Sequence, residues 1–212
     1  MPPLILAITG ASGAVYAVRL LDVLLASGHE VHLVISPSGN AVLKQELGTL
    51  VDLERFDPAP LFSAMEHPLL QGAKPPGERL AHTGKLHYHR HDDFIAPPAS
   101  GSFLTGGMVV CPCSGSTLSG IAHAASMNLV QRAADVHLKE RRRLILVPRE
   151  TPLSVIQLDN LRKAAEAGAV ILPAMPGWYH GVSSIRDLVD FVVARILDQL
   201  AVPHTLMKRW GS

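Results

Sequence analysis

Short, continuous apolar runs recur along the chain, and each stops at a turn of small or polar residues. The runs occupy residues 4–8, 108–110, 144–147 and 169–172, and a further predicted strand at 30–35 is apolar except at Glu30 and His32. Uninterrupted runs of this length are typical of strands that are buried on both faces, as in a parallel sheet. The pattern therefore predicts five or six parallel strands in an α/β fold of the doubly wound class.

Amphipathic segments fill the intervals between the predicted strands, and they predict the helices of this fold. The clearest lie at about 14–26, 154–167 and 185–200, a further helix begins near Gly39, and two more fall within 109–153. The expected sheet-facing stripe of the helix at 154–167 is Val155, Leu158, Leu161 and Ala165. That of the closing helix is Leu188, Phe191, Val192, Ile196 and Leu200. We expect one domain spanning residues 1–212.

The periodicity fades between about residues 49 and 93, where prolines alternate with short apolar clusters. We expect an irregular insert here, serving as a lid, an oligomer contact or a mobile segment. The insert contains His87, His89 and His91, followed by Asp92 and Asp93. A solvated loop is the favoured interpretation, because alternate histidines on an irregular segment rarely converge on one ion. No metal site is predicted.

Composition narrows the functional classes. The chain has 212 residues, of which 48% are hydrophobic, and its 19 basic and 18 acidic residues give a net charge of +1. This balance provides no general attraction to nucleic acid or to an anionic membrane. Its two cysteines, Cys111 and Cys113, supply neither a disulfide framework nor a thiolate zinc site. Because no run reaches the roughly 18 apolar residues that a membrane span needs, we expect a soluble, unprocessed, cytoplasmic protein.

Two turns after the first two strands are candidate ligand sites. The first strand runs into Gly10-Ala11-Ser12-Gly13, where glycines permit close backbone approach and a helix start offers unpaired N–H groups. A plain tight turn explains this G-x-x-G pattern equally well, and it is not the G-x-G-x-x-G dinucleotide motif. Ser36 ends the second strand and is either an anion ligand or a helix N-cap, with the cap favoured.

The stretch 109–153 carries most of the candidate chemistry. The strand at 108–110 is followed by residues 114–117, which are small hydrogen-bond donors at the start of a helix. The strand at 144–147 is followed by Arg149 and Glu150. Tyr179 follows a further strand. These positions fall at the carboxyl edge of the sheet, where ligands bind in open α/β folds. Arg195 lies near the apolar stripe of the closing helix, so it either caps a carbonyl cluster or reaches a phosphate.

Seven segments resemble the UbiX-type flavin prenyltransferases in order and spacing. They are GASGAVYAVRLL, APPASGSF, CPCSGSTLSGIA, NLVQRAADVHLKERR, LVPRETPLS, AGAVILPAMPGWYH and LVDFVVARILDQL. They span nearly the whole chain outside 49–91. The resemblance implies a Rossmann-like, flavodoxin-related fold and a homododecamer. It also implies transfer of a dimethylallyl group from dimethylallyl phosphate to N5 and C6 of reduced FMN. The product, prenylated FMN, serves a UbiD-type decarboxylase, in ubiquinone biosynthesis or on another acid.

The same resemblance implies binding residues. Those for FMN are Gly10, Ala11, Ser12, Ser36, Ser114, Gly115, Ser116, Thr117 and Arg149. Those for the allylic phosphate are Arg132, Lys139, Tyr179 and Arg195, with Arg149 shared and Glu150 nearby. Lys139 and Arg132 are expected to reach the site of a neighbouring subunit. The remaining arginines of this basic run, residues 141–143, are expected to form a solvated face.

Catalytic roles follow from the implied reaction. Loss of phosphate leaves an allyl cation and an anion, so the site needs fixed positive charge and apolar, aromatic walls without a metal. Trp210 and Phe94 are the candidate walls, although Phe94 stands where some relatives carry tryptophan. The leaving phosphate is expected to accept the protons that N5 and C6 lose, and Ser12 and Glu150 are expected to relay them. Glu150 is alternatively a structural ion-pair partner of Arg149.

Two other functions remain open from the sequence. One is an FMN-dependent decarboxylase of cysteinyl peptides or phosphopantothenoylcysteine. Such proteins use a histidine after the first helix and a PASANT-like turn, whereas this chain has PPASGS at 97–102 and no histidine between Gly13 and Gly28. The other is a non-catalytic FMN carrier, which would not need the second phosphate site formed by Lys139, Tyr179 and Arg195.

Overall fold

A computed structural model of the chain describes residues 1–71, 81–209 and 211. Its centre is a six-stranded parallel sheet in the order β3-β2-β1-β4-β5-β6. The strands are β1 (Leu4–Ile8), β2 (Glu30–Ile35), β3 (Lys85–His89), β4 (Gly107–Cys113), β5 (Leu144–Pro148) and β6 (Val170–Ile171). The strand order reverses between β1 and β4, as in doubly wound nucleotide-binding folds. The predicted fold class is confirmed.

Helices cover both faces of this sheet. They are α1 (Ala14–Ala26), α2 (Pro37–Leu47), α3 (Ala59–Ala64), α4 (Pro68–Gln71), α5 (Gly115–Ala122), α6 (Leu129–Lys139), α7 (Val155–Glu166) and α8 (Ile185–Gln199). The pleat of β1 divides the core, because Leu4, Leu6 and Ile8 point to one face and Ile5 and Ala7 to the other. The first face packs against α1, α2 and α8. The second packs against α5, α6 and α7.

A buried ion-pair group joins α1 to α8. The Arg19 guanidinium donates to Asp190 at 2.7 Å and to Asp22 at 2.6 Å, and the Arg19 side chain is only 5% exposed. Both carboxylates satisfy a charge that would be costly to bury alone. The group therefore fixes how the closing helix lies on the first one.

The prediction of an irregular insert at about 49–93 is wrong for much of its length. This part of the chain contains the short helices α3 and α4 and the edge strand β3, which pairs with β2. Leu86 and Tyr88 of β3 face the core, and the Tyr88 ring stacks on Phe56 at 4.2 Å. The histidines at 87 and 89 therefore lie on a strand, not on a solvated loop.

The apolar stripe predicted for α7 is also wrong in part. Val155 is 75% exposed and Leu158 is 51% exposed, while Asn160 and Ala164 are the buried positions of this helix. Ile156, at 73% exposure, adds to the same apolar surface. The helix packs through Asn160, Ala164 and the partly buried Leu161, while Val155, Ile156 and Leu158 remain exposed. None of the helices in the described part of the chain has the length and apolar character needed to cross a membrane.

Candidate functional site

The switch point between β1 and β4 lies at the carboxyl edge of the sheet, and Thr9 joins the two strands there. Its Oγ1 donates to the Pro112 carbonyl at 2.7 Å and accepts from the Ser114 backbone N–H at 2.9 Å. Thr9 is 1% exposed, so water does not compete for these hydrogen bonds. Our sequence analysis missed Thr9, because its partners are more than 100 positions away along the chain.

The first turn differs from the prediction in one respect. The N–H groups of Gly13 and Ala14 are not unpaired, because both donate to the Glu46 carboxylate, at 2.9 and 2.8 Å for the shortest contacts. Gly13 has φ +115°, which a side chain would strain, and a Cβ at Gly10 would lie 2.5 Å from the Ser38 Cβ. No sequence pattern pointed to Glu46 as a site residue, because it lies in the last turn of α2, more than 30 positions from the turn that it contacts.

Ser36 acts as the N-cap of α2. Its Oγ accepts from the Gly39 N–H at 3.0 Å, as the favoured interpretation required. Gly39 must be glycine for packing reasons, because a Cβ there would lie 2.5 Å from the Ile8 carbonyl oxygen. Ser36 is 8% exposed, and α2 is thereby held against the end of β1.

The second turn, residues 114–117, forms the start of α5. Ser114 is the N-cap, and its Oγ accepts from the Thr117 N–H at 3.3 Å and lies 3.2 Å from the Ser116 Oγ. A helix start of this kind presents N–H groups and hydroxyls to an anion. The prediction of small donors opening a helix beside the switch point is confirmed.

Arg149 enters the same edge at the end of β5. Its Nε is buried and has no hydrogen-bond partner among the described residues. A buried guanidinium N–H without a partner is costly, so this position fits an acceptor supplied by a ligand. Burial raises the pKa of Tyr16, Glu46 adds to that shift and Arg149 opposes it, which places all three side chains in one neighbourhood.

Glu150 turns away from Arg149. Within the described residues no ion pair joins Glu150 to Arg149. The alternative that Glu150 is only a structural ion-pair partner of Arg149 is therefore not supported. The carboxylate is exposed, and its Oε2 accepts from the Gln157 Nε2 at 3.4 Å. Gln157 also belongs to the capping box at the start of α7, so Glu150 is positioned from that helix.

Tyr179 and Arg195 both lie near Phe191 of α8. The Tyr179 ring meets Phe191 edge-on at 5.7 Å, and Arg195 follows Phe191 by one helical turn. The expectation that Arg195 lies on the buried side of α8 is wrong: its side chain is 46% exposed and donates to Asp198 at 2.8 Å. Arg195, Phe191, Pro173 and Met175 line a cavity of about 270 Å³. This cavity adjoins the outermost strand and not the switch point.

Lys139 is not brought to this edge within one chain, and Arg132 is engaged by groups other than the residues of this cavity. Arg132 donates to the Ala99 carbonyl at 3.1 Å and to Asp135 at 3.1 Å, and Lys139 pairs with Glu140. Lys139 is the last residue of α6, which returns the chain to the amino end of β5. The lysine therefore lies toward the edge of the sheet opposite to the turns.

The remaining predicted residues fall outside the cluster or outside the described residues. Phe94 is 47% exposed and follows the edge strand β3, and Trp210 lies outside the described residues. The solvated face expected at 141–143 is wrong for Arg142, whose guanidinium donates to the carbonyls of Phe103, at 2.7 Å, and Gly101. Arg142 therefore anchors the approach to β4.

The sheet is doubly wound, with two small-residue turns at its switch point and, at the same edge, an arginine Nε that has no partner among the described residues. This combination is typical of nucleotide-binding α/β proteins. The model of the family described as Flavoprotein matches residues 1–197. The flavin prenyltransferase UbiX of Pseudomonas aeruginosa is 47% identical over 98% of this chain and 93% of its own length. The chain belongs to the UbiX flavin prenyltransferases within the flavoprotein family.

Two solved structures are similar over the full chain. The crystal structure of AnUbiX, in complex with FMN and dimethylallyl pyrophosphate, has a TM-score of 0.81 at 36% identity, covering 100% of this chain and 98% of that one. A dodecameric FMN-dependent UbiX-like decarboxylase from Escherichia coli O157:H7 has a TM-score of 0.79 at 36% identity, covering 99% of both chains.

Proposed function

We propose that this protein is a flavin prenyltransferase, which joins the dimethylallyl group of dimethylallyl phosphate to N5 and C6 of reduced FMN. Family membership supports the assignment, and so does the relative whose crystal structure contains FMN and dimethylallyl pyrophosphate. The observation that carries it in this chain is the buried Arg149 Nε, which lies without a partner among the described residues at the flavin-binding edge.

The FMN site is formed by the two turns and Arg149. Residues 10–12 and 114–117 flank the switch point, and Ser36 closes the end of the neighbouring strand. FMN supplies the nucleophilic N5 and C6 atoms when it is bound. The polypeptide supplies donors for its acceptor atoms, and Arg149 gains the hydrogen bond that its Nε lacks.

The allylic phosphate is proposed to bind beyond β6, at Tyr179 and Arg195. Cleavage of the carbon–oxygen bond places negative charge on the leaving phosphate, so fixed cations and hydroxyl donors lower the barrier. Arg195 is itself 46% exposed, and its partner Asp198 also pairs with Arg209 and His204, so Asp198 stays paired when Arg195 turns to a phosphate. Ser12 and Glu150 are proposed to pass protons from the flavin to that phosphate, with Phe94 and Trp210 as walls.

A neighbouring subunit is proposed to complete the phosphate site with Arg132 and Lys139. Lys139 lies away from the carboxyl edge of its own chain and Arg132 is engaged by Ala99 and Asp135, so a second copy is proposed to bring them to the site. The related Escherichia coli protein is dodecameric. The exposed apolar side chains of α7 and the following loops, Val155, Ile156, Leu158, Met175 and Trp178, suit burial between copies.

The product is proposed to serve a UbiD-type decarboxylase in the cytoplasm. The alternatives are weaker. A cysteine-type decarboxylase needs a catalytic histidine after the first helix, whereas His29, which follows α1 in this chain, directly precedes β2 at the amino edge of the sheet, opposite to the turns. A carrier for FMN has no use for Tyr179 and Arg195 beside a second anion position, and it would return its flavin unchanged.

The decisive experiment is anaerobic incubation of the protein with reduced FMN and dimethylallyl phosphate, followed by mass spectrometry of the extracted flavin. We expect a flavin heavier by one five-carbon unit. A parallel reaction with dimethylallyl pyrophosphate identifies the donor. Unmodified flavin with both donors would favour the carrier, and loss of carbon dioxide from a cysteinyl peptide would favour the decarboxylase.

A pair of variants tests the contribution of a second subunit. Lys139→Ala is expected to slow prenylation at least about tenfold, the effect of removing one charge at a transition state, and to leave FMN bound. Arg143→Ala is the matched control, because Arg143 is an exposed cation in the same basic run, and its guanidinium donates to Gln199. Loss of FMN from Lys139→Ala, or equal rates in the two variants, would contradict the role assigned to Lys139.

A further inference from the structure

Two edge strands carry a cluster of metal-binding residue types that the proposed reaction does not use. The parallel register places His32 of β2 directly opposite His87 of β3. Glu30 precedes His32 by two positions and His89 follows His87 by two, so all four side chains lie on one face of the sheet. The sequence could not predict this grouping, because His32 and His87 are 55 positions apart along the chain.

The ligand atoms of three of these residues converge. The Glu30 Oε1 lies 3.3 Å from the His32 Nε2 and 3.2 Å from the His87 Nε2. All three atoms lie within 4.8 Å of one another. Zinc bonds of about 2.0–2.2 Å at tetrahedral angles place neighbouring ligands roughly 3.3 Å apart. Both contacts to Glu30 already have this length, and a rotation of the half-exposed His87 ring adjusts the third.

The central ring is held in place by its surroundings. The His32 side chain is 6% exposed, its Nδ1 lies 2.7 Å from the His89 Nε2, and Phe103 packs edge-on at 4.8 Å. A histidine ligand commonly makes such a hydrogen bond through its other ring nitrogen, which fixes the ring orientation and directs the remaining lone pair. When Nδ1 donates to His89, the lone pair of Nε2 faces the Glu30 carboxylate, and a cation between them relieves the repulsion.

We propose that Glu30, His32 and His87 bind one divalent transition metal ion of the zinc type. Two imidazoles and one carboxylate are a ligand set for zinc, and solvent completes the coordination at the half-exposed His87. The ion links the edge strand β3 to β2. The site is structural, because it lies on strands β2 and β3 and not at the switch point between β1 and β4.

The test uses the full-length, tag-free protein loaded with FMN and freed of metal by chelation. Titration with zinc chloride in a competition assay is expected to show one tight site per chain. Glu30→Gln and His87→Ala are each expected to weaken binding at least about tenfold, the effect of losing one ligand or its support. His123→Ala is the control, because His123 is an exposed histidine outside the cluster. Unchanged affinity in both ligand variants, or no site below millimolar zinc in the wild type, would overturn the proposal.

A second measurement tests the structural role. Zinc is expected to slow amide hydrogen exchange in Lys85–His89 and to raise the melting temperature of the wild type, but not of His87→Ala. His87→Ala is suited to this comparison because its side chain is 46% exposed, so its removal leaves the core intact. Equal protection of β3 in the two proteins would show that zinc does not bridge the strands.

Discussion

Replacing Glu46 with glutamine tests whether the α2 carboxylate organises the first turn of the site. The carboxylate accepts the Gly13 N–H at 2.9 Å and the Ala14 N–H at 2.8 Å, at the start of α1. Glutamine is nearly isosteric, but it has one acceptor oxygen and no charge. Both N–H groups donate to the same oxygen, Oε2, so a glutamine carbonyl there keeps both contacts, and the substitution removes the charge and the second acceptor, Oε1, which lies 3.1 Å from the Gly13 N.

The expected loss follows from these contacts. A hydrogen bond to a charged group contributes about 1.5–3 kcal/mol, and a carboxylate at a helix N-terminus adds about 0.3–1 kcal/mol. The two neutral bonds to the amide oxygen retain about 0.5–1.5 kcal/mol each, so loss of the charge is expected to make Glu46→Gln cost about 2 kcal/mol. For a chain of this length, that corresponds to a fall in melting temperature of about 4–8 °C.

Differential scanning fluorimetry at one fixed protein and FMN concentration measures this change, since ligand and subunit concentration both shift the melting temperature. Glu166→Gln is the matched control. It makes the same substitution in an exposed pair with Arg162, where both side chains are about 60% exposed and the pair is worth about 0.3–0.5 kcal/mol. If the two variants melt together, the Glu46 carboxylate does not stabilise the turn and our account of Gly13 is wrong.

Three further predictions concern packing, assembly and pH. Gly39→Ala should destabilise the fold by about 1–3 kcal/mol, because its Cβ would lie 2.5 Å from the Ile8 carbonyl oxygen; an unchanged denaturant midpoint would refute the contact. Ile156→Glu should yield smaller species in sedimentation velocity with helix content retained, whereas an intact oligomer would exclude α7 from the interface. Burial lowers the pKa of His137 below 6.5, so the folded state binds fewer protons, and stability should fall as pH drops below about 6.5. His137→Gln should flatten this dependence of melting temperature on pH, and parallel profiles would count against it.

Local sequence patterns were informative where a residue and its partners are close along the chain. Ser114, Ser154 and Ser184 each cap a helix, because the side chain accepts a hydrogen bond from the backbone N–H three positions later. Such caps can be recognised in a sequence as short polar motifs before an apolar run. The edge strand β3 was missed because its alternation contains only two apolar residues, Leu86 and Tyr88. An exposed edge strand with polar residues on its outer face resembles a loop until its pairing is known.

The sequence by itself determined the class of fold and the family, because continuous apolar runs specify strands buried on both faces and the turn motifs stand at their carboxyl ends. Only the tertiary structure decided that Glu46 occupies the start of α1, that Arg195 faces solvent, and that His32 and His87 stand side by side. The physical reason is that strand register and helix docking bring together groups distant along the chain. Periodicity reports which face of an element is buried, and carries no information on what that face or its ends will contact.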